Sequence, residues 1–158
     1  MDMFNLSGAI FSDCRKYRYA LWRKWDESKP MIMFIGLNPS NANEYEPDPT
    51  ITRVIQFSKS MGYGGVYMMN LYAIVDSNPD ILKTHPDPLG DNDGWVEKIA
   101  LECEMIIFAW GKFKEAKARA EKFIKMFPEG HCLVKNKDGS PRHPLYVKGD
   151  TVPVKFSV

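Results

Sequence analysis

The chain has 158 residues, of which 44% are apolar and 13% aromatic, and its formal net charge is +1. This length and composition suit one folded domain, which we expect to span residues 1–158, and they argue against extended disorder. The near-zero net charge excludes bulk electrostatic attraction as the basis of nucleic-acid binding, although a local basic groove stays open.

No apolar run approaches the roughly 20 residues that a membrane helix needs, and residues 1–6 lack the basic start and apolar core of a signal peptide. Cys14, Cys103 and Cys132 are widely spaced and form neither a Cys-x-x-Cys pair nor a zinc pattern. We therefore expect a cytoplasmic protein with reduced thiols and no membrane partner. We also expect no metal, iron–sulfur cluster or other cofactor, since no cofactor fingerprint is present.

The N-terminal part of the chain predicts two neighbouring strands. Residues 17–25 mix aromatic and basic side chains as an amphipathic strand would, and residues 26–30 are typical of a turn. Residues 31–37 are almost entirely apolar, which indicates a buried strand. We expect these two strands to form a hairpin at one side of the sheet.

The middle of the chain predicts a helix and a second buried strand. Asp48 and Pro49 are a typical N-cap and first helical residue, apolar residues follow with helical spacing, and Gly62 favours a stop. Residues 66–71 then form an apolar run that carries Asn70 near its end. The pattern is that of a helix connecting two parallel strands.

The C-terminal half continues the alternation of helix and strand. Residues 77–83 predict a short helical turn, and helices are predicted around residues 95–103 and over residues 114–127. Residues 105–109 and 131–134 predict the third and fourth buried strands.

This alternation indicates a three-layer α/β/α domain, with a mostly parallel central sheet of about four strands and an N-terminal hairpin strand at its edge. Right-handed crossovers bring the carboxyl ends of parallel strands to one edge of the sheet, and ligands bind there in such proteins. We therefore expect a site formed by the residues at those ends, which are Asn38, Asn70, Trp110 and the segment that holds His143.

Short segments at these four places resemble motifs of the uracil-DNA glycosylase superfamily, and they occur in the family's order. Residues 36–40 resemble the Gly-Ile-Asn-Pro-Gly motif of the mismatch-specific branch, and residues 68–70 resemble its Leu-Leu-Asn strand end. Residues 108–111 are similar to Leu-Leu-Trp-Gly, and residues 143–144 to the start of His-Pro-Ser. The resemblance implies a glycosylase-like fold and a site that hydrolyses the bond between a uracil-like or modified base and its sugar, in DNA or in a nucleotide.

On this resemblance Asn38 positions the attacking water, Asn70 hydrogen-bonds the edge of the base, and His143 donates toward a base oxygen. Asp48 would serve as a general base if its loop folds over the pocket. The other residues expected to contact the substrate are Pro39, Ser40, Tyr45, Arg53, Trp110 and Arg142.

Each of these residues also has a structural interpretation, and the sequence leaves both open. Asn38 before a proline suits a turn, Asn70 could satisfy loop backbone, and Asp48 could act only as an N-cap. His143 could be an ordinary loop histidine, and Trp110 could belong to the core. The lysines of residues 112–125 are solvated surface by default, or weak contacts to a nucleic-acid backbone.

The chain is more closely similar to an uncharacterised bacterial and phage family, which brings no established activity. The shared features are Leu-Asn-Pro-Ser at residues 37–40, Asp-Pro-Thr-x-x-Arg at 48–53 and Arg-His-Pro-Leu-Tyr at 142–146. Leu145 and Tyr146 stand where glycosylases have a serine-rich loop that wedges into duplex DNA. Two alternatives therefore stand beside hydrolysis. One is a non-catalytic binder of nucleic acid or nucleotide, and the other is a transferase or other base-modifying enzyme of bacterial or phage DNA, in which Asp48 and Arg53 handle a second substrate.

Overall fold

Within residues 6–157, which the computed structural model describes, seven strands form one mixed β-sheet. The strands are β1 (Leu6–Phe11), β2 (Arg18–Lys24), β3 (Met31–Gly36), β4 (Gly65–Asn70), β5 (Cys103–Phe108), β6 (His131–Cys132) and β7 (Val154–Lys155). The helices are α1 (Pro49–Ser60), α2 (Ile81–Thr84), α3 (Asn92–Ala100) and α4 (Ala116–Met126), and a 3₁₀ turn covers Pro144–Tyr146.

The sheet order is β1-β2-β4-β3-β5-β6-β7, and antiparallel pairs occur on both sides of the parallel strands. Strands β4, β3, β5 and β6 are parallel, whereas β1, β2 and β7 join them through antiparallel pairs. The prediction of a mostly parallel sheet of about four strands with one edge strand is therefore wrong. Apolar runs indicate only strands that are buried on both faces, and the edge strands, partly exposed β1 and exposed β7, lack such runs.

The predicted hairpin between β2 and β3 is also wrong. Strand β2 pairs with β1 and β4, and β4 lies between β2 and β3. The chain instead turns between β1 and β2, where the backbone N–H of Ser12 donates to the carbonyl of Tyr17 over 2.9 Å. The connection after β2 passes the start of β4, where Trp25 and Asp26 both donate to the carbonyl of Gly64.

Strand β3 is buried on both faces because helices cover both sides of the sheet. Ile32 and Phe34 pack in the cluster that includes α1, and Met33 and Ile35 pack in the cluster that includes α3 and α4. The continuous apolar sequence of the strand follows from this position. No helix in the described range 6–157 is both long enough and apolar enough to cross a membrane.

The predicted start of α1 is confirmed. The carboxylate of Asp48 accepts a hydrogen bond from the backbone N–H of Ile51 over 2.9 Å, and Pro49 is the first helical residue. Gly62 follows the helix with a φ of 86°, a conformation that glycine adopts without strain. This helix holds the loop of residues 41–47 against the sheet, where the candidate site lies.

Gly130 should not tolerate a side chain. A Cβ at this position would stand inside van der Waals contact with the buried ring of Phe108. We expect Gly130→Ala to lower the free energy of unfolding by about 1–3 kcal/mol, as overpacking of a core does. Urea unfolding monitored by circular dichroism measures this change.

Gly94 supplies the matched control, because it lies in α3 and a Cβ there would meet no atom within 4 Å. Gly94→Ala should raise the free energy of unfolding by roughly 0.5–1 kcal/mol, since alanine is the better helix former. Equal effects of the two substitutions would contradict the packing described here.

Candidate functional site

A cavity of about 270 Å³ opens where β3 and β4 end, on the face of the sheet that α1 covers. Five residues singled out from the sequence lie in its wall: Asn38, Ser40, Asp48, Asn70 and His143. Arg18, Asp76 and Phe113 also lie in the wall, and the sequence had not indicated them. The cavity thus gathers carboxamide, imidazole, carboxylate and guanidinium groups from segments that are far apart in the chain.

Two of the other predicted contact residues lie away from this cavity. Tyr45 is 86% exposed on the loop before α1, and Trp110 is 2% exposed in the core, with its ring 4.8 Å from that of Phe108. Pro39 contributes its carbonyl, which accepts from the backbone N–H of Asp76.

The two predicted arginines bind other parts of the protein. Arg53 donates to the backbone carbonyls of Pro144 and Val147, so it fastens the 3₁₀ turn to α1. Arg142 donates from Nε to Asn136 Oδ1 over 2.8 Å. Both side chains therefore hold the last loop in place, and neither lies in the cavity wall.

Asn38 uses its amide nitrogen to hold the neighbouring loop. Its Nδ2 donates to the carbonyls of Pro39, Ile74 and Asp76 over 3.3, 3.3 and 3.0 Å. Three surrounding carbonyls identify this atom as the nitrogen of the amide. Oδ1 accepts no hydrogen bond from residues 6–157, so it is the atom of Asn38 that can hold a water.

Asn70 is 3% exposed, yet its carboxamide has no hydrogen-bond partner in the described part of the chain. A Cβ on Gly36, which faces it on β3, would stand 3.0 Å from Asn70 Oδ1. Glycine at position 36 therefore leaves the room that this amide occupies. Neither amide atom of Asn70 is one of the fully buried, unpartnered side-chain atoms of the described range, so both reach the cavity, where a water or a ligand supplies their hydrogen bonds.

The end of β4 is fixed from the opposite face of the sheet. Asn92, which is completely buried on α3, donates from Nδ2 to the carbonyls of Asn70 and Leu71 over 2.8 and 3.2 Å. Arg119 of α4 donates to the same Leu71 carbonyl and pairs with Asp93. These contacts hold the backbone of Asn70 while its side chain faces the cavity.

His143 presents one ring nitrogen as a donor. Its Nδ1 accepts from the backbone N–H of Leu145 over 3.2 Å, so in the neutral ring the proton lies on Nε2. Burial lowers the pKa of His143 below its ordinary 6.5, and the charge of Asp48 opposes this shift in part. The histidine is therefore neutral at neutral pH.

The two carboxylates in the cavity wall differ in how many of their oxygens are engaged. Asp48 accepts from the backbone N–H of Ile51 on one oxygen and from that of Ala42 on the other, over 2.9 and 3.3 Å. Asp76 accepts from Asn78 N–H on Oδ1, whereas its Oδ2 has no partner among residues 6–157. Asp48 thus braces the loop, and Asp76 retains a free oxygen.

A β-bulge turns Arg18 into the cavity. Ile10 of β1 pairs with Ala20 and Phe11 pairs with Arg18, so Tyr19 is the extra residue of β2. In a regular strand, residues 18 and 21 would face opposite sides, yet Arg18 and Leu21 both lie in the cavity wall. No pattern in the sequence predicts this bulge, so the sequence predicts a regular amphipathic strand over residues 17–25.

Arg18 is 3% exposed and incompletely bonded. Its Nη1 donates to the carbonyl of Ala42 over 3.0 Å, whereas its Nε meets no acceptor within the described range. No carboxylate in residues 6–157 approaches it within 4.0 Å. Burial lowers the pKa of Arg18 to about 10, against the opposing charge of Asp48, so the guanidinium is charged at neutral pH.

A second, larger cavity of about 960 Å³ lies between α4 and the loop of residues 135–141. Five lysines line it: Lys112, Lys114, Lys117, Lys125 and Lys135. Glu121 and Asp138 are its acidic residues, and Phe113 lines both cavities. This second cavity, hereafter the lysine-lined groove, therefore borders the candidate site directly.

Metal-binding side chains are not clustered in the described range. No group of three or more His, Cys, Asp or Glu side chains within residues 6–157 is arranged to hold a metal ion. Cys14, Cys103 and Cys132 are free thiols, and burial raises the pKa of Cys103 to about 12, so that this thiol stays protonated.

The chain belongs to the family described as "Protein of unknown function (DUF1643)", which matches residues 18–145. The matched span begins at Arg18 and includes every cavity residue named above. No curated protein and no solved structure matches the chain. The expected membership of an uncharacterised family is confirmed, and these comparisons lend no support to the glycosylase resemblance.

The lowered pKa of His143 makes folding sensitive to acid. As the pH falls below about 6.5, the unfolded chain binds this proton before the folded chain does, so stability declines through that range. We expect an NMR titration to give His143 a pKa below 6.5. The His143→Gln variant should lose this part of the acid destabilisation. A pKa at or above the ordinary value would contradict the burial described here.

Proposed function

We propose that the protein binds a nucleobase in the 270 Å³ cavity and hydrolyses its N-glycosidic bond, in DNA or in a nucleotide. The observation that carries the proposal is the carboxamide of Asn70, which lines the cavity and bonds to no other residue in the described range. A carboxamide offers one acceptor and two donors in a plane, which complements the adjacent carbonyl and N–H of a uracil-like base. The resemblance of four short segments to uracil-DNA glycosylases points to the same ligand class.

The water that attacks the sugar carbon would lie between Asn38 and Asp76. Asn38 Oδ1 is free to accept from the water, and its Nδ2 holds the backbone carbonyl of Asp76. We assign the base to Asp76 rather than to Asp48, because both oxygens of Asp48 accept backbone N–H groups whereas Asp76 Oδ2 is free. A nearby carboxylate also stabilises the positive charge that develops on the sugar.

His143 would stabilise the departing base. A neutral imidazole with its proton on Nε2 donates a hydrogen bond to a base oxygen as negative charge develops there. The contact between Leu145 N–H and Nδ1 fixes this tautomer. The water enters the sugar, the bond between sugar carbon and base nitrogen breaks, and the proton of the water passes through Asp76 to solvent or the base.

The lysine-lined groove beside the cavity supports a polymeric substrate. Phe113 lies at the junction of the two cavities and is partly exposed, so it could stack on a base next to the one that is bound. Such an activity would serve DNA repair or DNA modification in the cytoplasm of a bacterium or of a phage-infected cell. A single strand fits better than a duplex, because Leu145 and Tyr146 replace the serine-rich wedge.

Base release from oligonucleotides tests the proposal. Single-stranded and duplex oligonucleotides with uracil, mismatched or modified bases, and the matching nucleotides, are incubated with the protein. Abasic product is then measured by alkaline cleavage, and free base by chromatography. Asn38→Ala and Asp76→Asn should each slow release by roughly 10²–10⁴-fold, the usual contribution of positioned general-base catalysis.

Two variants serve as controls. Tyr45→Ala lies off the cavity and should leave the rate unchanged, and Asp48→Asn keeps an N-cap and should lower the rate far less than Asp76→Asn. No release from any substrate, or equal rates in all variants, would remove the hydrolysis proposal.

Binding without hydrolysis is the second candidate function, favoured by one observation. The residue that the glycosylase resemblance assigns to the water is Asn38, which cannot act as a strong base. In that case labelled strands or nucleotides should bind with no base released, and Asn70→Ala should weaken binding. Affinity that falls steeply with salt would identify a strand as the ligand.

A further inference from the structure

We propose that Arg18 is an anion-binding residue, and that the ligand of this cavity buries an oxyanion against its guanidinium. The proposal deepens the proposed function by naming a feature of the substrate, and it rests on that function for the base itself. The experiment below measures ligand binding alone. Anion binding by Arg18 can therefore be refuted or supported whether or not the protein hydrolyses a glycosidic bond.

Arg18 forms few hydrogen bonds for a buried charged side chain. Its Nε has no partner, its Nη2 donates to no residue in the described range, and no carboxylate lies within 4.0 Å. A buried charge without a partner is strongly unfavourable, and proteins either pair it or place it for a ligand. Nε is fully buried, so an oxygen of a carboxylate or phosphate in the cavity would meet the guanidinium at Nη2 in a charge-assisted hydrogen bond.

Arg23 shows how the same strand treats an arginine that has only a structural role. Its Nη1 donates to the carbonyl of Trp22 and its Nη2 to that of Asn43, over 2.9 and 2.7 Å. Arg23 does not line the cavity and is more exposed than Arg18. The bulge at Tyr19 therefore places the less satisfied of the two arginines in the cavity wall.

The position of Arg18 indicates which part of the ligand carries the charge. Arg18 and Asn70 are both almost completely buried, whereas Tyr146 on the same cavity is 77% exposed. Arg18 and Asn70 thus mark the closed end, and Tyr146 marks the mouth. An oxyanion at the closed end belongs to the part of the ligand that enters first, which for a glycosidic substrate is the base.

The acidic groups of the wall form no salt bridge with Arg18 in the described range, although burial lowers the pKa of the guanidinium and the charge of Asp48 opposes that shift. Asp48 directs both oxygens to backbone N–H groups of Ala42 and Ile51, and Asp76 receives Asn78 N–H. Arg18 is the only arginine or lysine of the wall in the described residues, so an incoming anion has one strong partner there.

Calorimetric titration with matched probes tests the proposal. Uracil and uracil-5-carboxylate differ by a carboxylate on the base, and uridine and uridine 5′-monophosphate differ by a phosphate. We expect uracil-5-carboxylate to bind about 10- to 100-fold more tightly than uracil, as a charge-assisted hydrogen bond provides. A preference for the monophosphate over uridine, without one for the carboxylate, would identify phosphate as the source of the oxyanion.

Substitutions at Arg18 and Arg23 test whether Arg18 causes the preference for anionic probes. Arg18→Met should abolish the preference for the anionic probe, and Arg23→Met should leave it unchanged. If Arg18→Met does not fold, Arg18→Lys is used, because it keeps the charge but loses the planar fork, and the preference should fall several-fold.

The unfolding midpoint supplies an independent readout. Removal of an incompletely paired buried charge should leave the midpoint of Arg18→Met close to or above that of the wild type. A preference that persists in Arg18→Met, or no preference for either anionic probe, would overturn the proposal. Anion-selective binding without any base release would instead remove hydrolysis and leave the role of Arg18 standing.

Discussion

The parallel register of β3 and β4, which places Gly36 opposite Asn70, is the constraint on which the site depends. Glycine leaves room for the carboxamide, and Asn92 and Arg119 hold the strand end from the other face. The amide of Asn70 therefore faces the cavity and forms no hydrogen bond with another residue in the range 6–157. Its donor and acceptor atoms line the cavity and are available to a ligand.

Local chemistry made much of the fold predictable. The Asp48 cap with Pro49 predicts the start of α1, and apolar runs predict the strands β3, β4 and β5, of which β5 is buried only at its end. Edge strands lack that signal, so β1 and β7 were missed and the sheet was predicted as mostly parallel. The partner of β2 depends on where β4 inserts, which is a long-range property that no local pattern carries.

The residues of the site were predictable where their position along the backbone alone determines that they line the cavity. Asn38, Asn70 and His143 follow or end strands and turns, and the sheet brings them to one cavity. Trp110 follows a strand as well, but it turns into the core, and Arg53 binds carbonyls of the 3₁₀ turn. The role of Arg18 could not be predicted from the sequence. The bulge reverses the side of the sheet that its side chain faces, and an arginine in an amphipathic strand is expected to lie on the surface.

A crystal structure of the protein soaked with uracil and with uracil-5-carboxylate tests the central claim most directly. The account predicts a planar ring inside the cavity, with the Asn70 carboxamide within hydrogen-bond distance of its edge and the carboxylate against Arg18. A ring bound elsewhere, or ordered water alone satisfying Asn70 at saturating ligand, would contradict it.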